Sequence, residues 1–304
     1  MKKAFIQLHI AVFLAGFTGV LGRLITLNEG LLVWYRVLFS AAALFLISWI
    51  NGKNIRVSKK ELLKLISVGA VIAMHWVFFY GSIKYANVSI GLVCFSAVGF
   101  FTALLNPLFT THRIDLVEVA LGLLVMCGIY LIFHFDGQYR TGIILGTISS
   151  LLAALFTILN KKLLESHDPT TLTTYELAGG WLVLTFILPF YLFLFPPDHI
   201  IPTIPDFLWL LCLSILCTVV AVTLSMRALK KISSFTVNLS YNLEPVYGIL
   251  LAFAVYNENK FLGAGFYLGF AIIFFSVVLQ SWRIWRAKKS NLLTTRHAGA
   301  VSQN

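Results

Sequence analysis

The sequence predicts an all-α membrane protein of ten transmembrane helices, arranged as two inverted five-helix repeats. Three observations predict it. Of its 304 residues, 59% are hydrophobic and only 12% charged, whereas soluble domains carry about a quarter charged residues. Ten apolar segments each reach the roughly 20 residues that a helix rising 1.5 Å per residue needs to cross a hydrocarbon core of about 30 Å. Similar hydrophobic spans recur from about residue 4 to 135 and from about 142 to 282, displaced by roughly 140 to 146 positions.

The segments fall near residues 4–22, 31–50, 64–83, 88–109, 117–135, 142–161, 173–194, 207–226, 234–255 and 261–282. Lys2 and Lys3 ahead of the first one resemble the start of a signal peptide. That apolar run continues to about Leu21 without a clear A-x-A site before Arg23, so it reads as a retained first helix. The predicted organisation is a first repeat over 1–138, a second over 139–289 and a polar cytoplasmic tail over 290–304. The short link Asp136-Gly137-Gln138-Tyr139-Arg140 joins the copies, and loops this short leave no room for a soluble domain. Small residues such as Ala15-Gly16-x-x-Gly19-x-x-Gly22, Gly179-Gly180 and Gly263-x-Gly265 allow helices to approach closely.

Net charge is +11, which in a soluble chain would suggest nucleic acid. Its distribution says otherwise. With a cytoplasmic N-terminus, the inner segments hold Lys2, Lys3, Lys53, Arg56, Lys59, Lys60, Lys64, Arg113, Lys161, Lys162, Arg227, Lys230, Lys231, Arg283, Arg286, Lys288, Lys289 and Arg296. The outer ones hold only Arg23, Lys84, Arg140 and Lys260. This positive-inside pattern places both termini in the cytoplasm, expected to be that of a bacterium, and makes the lipid bilayer rather than nucleic acid the partner. The basic stretch from Trp282 to Lys289 suits anionic headgroups.

Five spans per copy set the sixth helix antiparallel to the first, so the duplication is inverted, the layout of many secondary transporters. Trp34-Tyr35-Arg36-Val37-Leu38 sits opposite Thr174-Tyr175-Glu176-Leu177-Ala178, and Lys84-Tyr85-Ala86-Asn87-Val88-Ser89 opposite Lys230-Lys231-Ile232-Ser233-Ser234. Cys94, Cys127, Cys212 and Cys217 lie in apolar runs without CxxC spacing or His neighbours, and read as packing residues. The sequence therefore predicts no metal site and no cofactor.

Arg36 in the second span, Met226-Arg227-Ala228-Leu229-Lys230-Lys231-Ile232-Ser233 before the ninth, Glu244-Pro245 with Asn257-Glu258-Asn259 after it, and Gly269 in the last together resemble the EamA-type permeases of the drug/metabolite transporter superfamily. The resemblance covers nearly everything before the polar tail. It implies ten helices in two five-helix copies and export of a metabolite or amino acid. The first copy departs from the pattern: Glu244-Pro245 shifts back onto Val98-Gly99 and Glu258 onto His112.

Ionisable groups inside spanning helices are costly, and each needs a reason. Arg36 either anchors a substrate carboxylate through its planar guanidinium, snorkels to the outer interface beside Trp34 and Tyr35, or ties helices together. Glu176, its counterpart, either serves coupling or gating or completes a Thr173-x-x-Glu176 capping box. Glu244 with Pro245 forms either a hinge bearing a protonatable group or a structural hydrogen bond. His75 is either a hydrogen-bonded core residue or a cavity group. At helical spacing, Trp76, Phe79 and Tyr80 on the third span and Asn238, Tyr241 and Asn242 on the ninth make two polar-aromatic stripes. The stripes face one cavity or serve packing.

The function expected is a secondary transporter, by the resemblance an exporter, of a small polar metabolite such as an amino acid. Arg36, His75, Trp76, Tyr80, Asn238, Tyr241 and Asn242 would contact substrate, and Glu176, Glu244 and Pro245 would couple or gate, with a proton as the coupled ion. A channel-like facilitator, a non-transporting sensor and, last, an intramembrane enzyme are the alternatives. No Walker A, H-E-x-x-H or G-x-S-x-G pattern occurs, so the chain is expected not to be an enzyme. Its oligomeric state is not encoded in any motif.

Overall fold

The computed structural model describes residues 2–53, 55–110, 113–241 and 243–301, with the side chains of Phe235, Asn238, Leu239, residues 284–285 and those from 287 onward outside the description. Among the described residues every regular element is a helix, and nine helical stretches are long and apolar enough to cross a membrane. Polar caps set where they begin, since the first amides of a helix have no partner within it and hydrocarbon offers none. α1 (Lys2–Gly16) and α2 (Thr18–Leu24) form the first stretch, divided by a turn at Phe17. Asn28 caps α3 (Glu29–Ile50), and Ser58 with Glu61 forms a capping box on α4 (Lys59–Tyr85). Asn87 caps α5 (Val88–Phe95), which leads into α6 (Val98–Phe109), and Asp115 caps α7 (Leu116–Phe135).

A short 3₁₀ turn leads into α8 (Arg140–Leu163), and Asp168 caps α9 (Pro169–Leu194). Thr203 and Asp206 form the capping box of α10 (Ile204–Ser214), which passes through a π-helical turn at Ile215–Val220 into α11 (Ala221–Leu229). α12 (Ser234–Tyr241), α13 (Glu244–Tyr256) and α14 (Ala264–Val301) complete the chain.

Three sequence expectations change. The ninth span, expected as one helix over 234–255, is two short ones: the Leu243 amide bonds the Ser240 carbonyl at 3.1 Å, and Pro245 has no N–H with which to resume the four-residue ladder. The fourth span breaks likewise, with the Ala97 amide on the Cys94 carbonyl at 3.1 Å, and no proline marks it. Thr173 and Glu176 form no capping box. Their helix begins earlier, with Asp168 as its cap and Pro169 at its first position, and the Thr173 hydroxyl donates back to the Pro169 carbonyl. The helical backbone of α14 also extends to Val301, through the described part of the expected tail.

α4 packs along α8 and α9, α1 along α11, α3 on α9, α5 on α13, and α7 on α14. Glycine permits the tightest of these contacts, since a Cβ on Gly69 would lie 2.0 Å from the Glu176 carbonyl oxygen and one on Gly128 2.7 Å from that of Gly269. Phe186, Phe190, Phe193 and Ile204 are exposed on the outside of the bundle. Such an apolar coat faces lipid, and the chain is an integral membrane protein.

Candidate functional site

The two broken spans meet at a cavity of about 100 Å³. Phe95 and Val98 flank the first break and Tyr241 and Glu244 the second, and all four line the space. Trp76, Phe79 and Phe156 supply apolar walls. Met226, Leu229 and Val237 carry the lining to the end of the bundle where α11 turns into α12.

Arg36 is the buried cation of this cavity, only 2% exposed. Its Nε donates to Thr218 Oγ1 at 2.8 Å, its Nη1 donates to the Tyr80 hydroxyl at 2.5 Å, and its guanidinium carbon lies 4.0 Å from the centre of the Trp76 ring. These contacts exclude the snorkelling reading, because the side chain turns inward between α3, α4 and the π turn. That turn supplies the acceptor: Thr218 Oγ1 donates to the Leu213 carbonyl five residues back, at 3.0 Å, and receives Arg36 Nε on its lone pair. Ser40 and Ser214 both donate to the Arg36 carbonyl, at 2.7 and 3.2 Å, which fixes the backbone beneath it.

Glu244 opens α13 as a buried carboxyl that lines the same cavity as Thr18 and Arg36. Pro245 follows in the first turn, where its missing N–H leaves no helical bond unmade. His75 is both of the things its position allows, bonded and cavity-lining. Its Nδ1 lies 2.9 Å from the Ser149 carbonyl and 2.8 Å from Ser149 Oγ, which assigns the proton to Nδ1 and leaves Nε2 as the acceptor of the neutral ring. Phe79, Phe95 and Phe156 surround that ring with centroids 5.4 to 6.2 Å away.

The structure gathers Arg36, His75, Trp76, Tyr241 and Glu244 around one space. Tyr80 stands behind Arg36, fully buried and off the cavity wall. Glu176 lies apart from the cavity, with Asn160. Asn242 lies outside the described residues, as does His112, and of Asn238 only the backbone is described. Thr18, Phe95, Phe156, Thr157 and Thr218 belong to the site and were not singled out from the sequence. Thr218 had one legible signal, a hydroxyl in the middle of an apolar span.

Glu258, noted in the sequence only for its resemblance, closes the opposite end of the broken fourth span. Its carboxylate accepts from the amides of Val88 and Ser89 at 3.0 and 2.9 Å and from Ser89 Oγ at 2.6 Å, and it pairs with Arg23. A negative charge on the first amides of α5 is favourable in itself. Asn257 aims it there by adopting left-handed backbone, φ 54°, which Asn tolerates better than most residues.

Comparison with known proteins places this arrangement. The model of the EamA-like transporter family matches residues 2–134 and again 140–282. The chain belongs to the EamA-like transporter family. An Archaeoglobus fulgidus protein described as an uncharacterized transporter is 29% identical over 150 residues, 49% of this chain and 54% of that protein. The Bacillus subtilis uncharacterized transporter YxxF is 24% identical over 193 residues, 60% and 61% of the two chains. This EamA-like chain thus spans under two thirds of the length of those two relatives. A second Archaeoglobus fulgidus uncharacterized transporter is 28% identical over 241 residues, 75% of this chain and 80% of that one. A protein of known crystal structure superimposes with a TM-score of 0.66 at 15% identity, covering 94% of this chain and 99% of the other, a likeness of fold alone. The family and these relatives are described as transporters.

Proposed function

We propose that this EamA-like protein is a secondary transporter of a small zwitterionic metabolite, an amino acid or close relative, moved outward by alternating access. One observation carries the reading: a buried guanidinium and a buried carboxyl line the same otherwise apolar cavity, between two broken helices. Arg36 would receive the substrate carboxylate, since among the described residues its bonds use two of its five N–H donors. Glu244 would receive the ammonium group and carry the coupled proton when the site is empty. Trp76, Phe79, Phe95 and Phe156 would accept an apolar side chain. Outward direction rests on the family resemblance.

The proposed scaffold is ten spanning helices in two inverted repeats. Equivalent features support it. The amide closing the first break, Ala97, and that closing the second, Leu243, are 146 positions apart. The capping boxes Ser58–Glu61 and Thr203–Asp206 are offset by 145. Lys84 Nζ reaches the Ile25 carbonyl at 3.0 Å and Lys230 Nζ the His167 carbonyl at 3.5 Å, each tying the end of the helix before a broken span to the loop after a repeat's first helix. The contacts of α1 with α11 and of α8 with α4 exchange under that symmetry, as do those of α5 with α13 and of α12 with α6, while α3 with α9 and α7 with α14 map onto themselves. With the positive-inside bias, both termini lie in the cytoplasm of a bacterial inner membrane, and the cavity, running toward the α11–α12 turn, leads inward.

Counterflow in proteoliposomes tests this reading. Labelled amino acids should accumulate transiently and saturably against an internal load of the same solute. Flux without saturation would indicate a channel, and no flux for any zwitterion would reject the substrate class.

A further inference from the structure

A second buried carboxyl lies where α8 meets α9, off the cavity. Glu176 is 1% exposed and Asn160 fully buried, and the Asn160 amide Nδ2 donates to Glu176 Oε2 at 3.3 Å. Two atoms of the pair, Glu176 Oε1 and Asn160 Oδ1, have no hydrogen-bond partner among the described residues. With an ionised carboxylate both are acceptors, and neither can satisfy the other. Leaving a charge buried and unpaired is strongly unfavourable.

Among the described residues no cation pairs with it. Of the charged groups on the helices packed around it, Arg36 on α3 is bonded to Tyr80 and Thr218, and His75 on α4 to Ser149. Lys161 on α8 donates to the carbonyls of Leu229 and Ile232. Lys64 on α4 and Arg227 on α11 are exposed. A proton on one of the two orphaned oxygens, donated to the other, would give both a partner.

We propose that Glu176 and Asn160 form a second proton-binding site, a cyclic acid–amide pair in which Glu176 carries its proton on Oε1 and donates it to Asn160 Oδ1. The return bond, Asn160 Nδ2 to Glu176 Oε2, closes the ring. Its role in a transport cycle rests on the transporter reading above. Asn160 Nδ2 also lies 3.7 Å from Met226 Sδ, and Met226 lines the cavity, so the pair sits one side chain behind the cavity wall. Movement of α11 that withdraws Met226 would admit water to Oε1 and release the proton.

Infrared spectroscopy of the full chain in lipid at neutral pH tests the site without transport. The wild type should show, among the carbonyl stretches of protonated carboxylic acids, a band that is lost in Glu176→Gln and retained in Glu244→Gln. Absence of that band, or its survival in Glu176→Gln, overturns the proposal. Glu176→Gln preserves shape and supplies an amide hydrogen to Asn160 Oδ1, so it should fold. As a second measurement, dicyclohexylcarbodiimide, which attacks protonated carboxyls in apolar surroundings, should leave an adduct that peptide mapping places on Glu176; an unmodified Glu176 would count against the site. If counterflow fails while band and adduct are present, the transporter reading falls and the proton site stands.

Discussion

The central carbon of the Arg36 guanidinium stands 4.0 Å from the centre of the Trp76 ring, while the Tyr80 hydroxyl accepts one of the guanidinium hydrogens. A desolvated cation over an aromatic face is stabilised by about 2 kcal/mol. The two aromatic residues therefore set the direction in which the remaining N–H donors point.

Tyr80→Phe should weaken substrate binding although Tyr80 lines no part of the cavity. A hydrogen bond to a charged group contributes about 1.5–3 kcal/mol, so an affinity loss of about tenfold or more is expected. Isothermal titration on purified protein checks this, with Tyr35→Phe on the same helix as Arg36 as the unaffected control.

Glu258→Ala should destabilise the protein far more than Arg23→Ala. The Arg23 side chain is 41% exposed, so its ion pair contributes less than about 1 kcal/mol. Removing Glu258 instead orphans the buried amides of Val88 and Ser89, a loss of about 2–4 kcal/mol. Thermal unfolding in detergent should place the two midpoints well apart.

Gly69→Ala should disturb assembly of α4 on α9. The new methyl would stand 2.0 Å from the Glu176 carbonyl oxygen, a backbone atom that cannot rotate away. Overpacking of this kind costs about 1–3 kcal/mol or more. Ser67→Ala, an exposed position on the same helix, should leave the melting midpoint unchanged.

Asp115 ties the start of α7 to Arg283 on α14 at the end of the bundle, outside the spans. Partial burial works to raise its pKa, but the bonds from Arg283, Val117 N and Glu118 N together hold its carboxyl below the ordinary value of 3.8. Its stabilisation is thus fully present above about pH 4 and lost as pH falls through the lower folded value. Asp115→Asn should lower the melting midpoint near neutral pH, and the gap to wild type should close in strong acid.

The helices were legible in the sequence because a spanning segment announces itself by length and hydropathy. So were Arg36, His75 and Glu244, since an ionisable group in an apolar run stands out. At the start of α9, Asp168-Pro169, a cap followed by a first-position proline, is a stronger signal than Thr173 and Glu176. The break at Ser96–Ala97 carries no proline and shows only in the backbone. Glu258 acts on amides some 170 positions away in the chain, Thr218 depends on a π turn, and the pairing of Glu176 with Asn160 depends on how α8 and α9 meet. Such relationships exist only once the helices pack.

The most direct test of the central claim compares an amino-acid substrate with its methyl ester, which lacks the carboxylate, in counterflow by wild type and Arg36→Lys. If Arg36 anchors the carboxylate, wild type should strongly prefer the acid, and Arg36→Lys, inserted at normal levels, should lose most of that preference by losing the acid. An unchanged KM for the acid in Arg36→Lys, with the preference intact, would contradict the account.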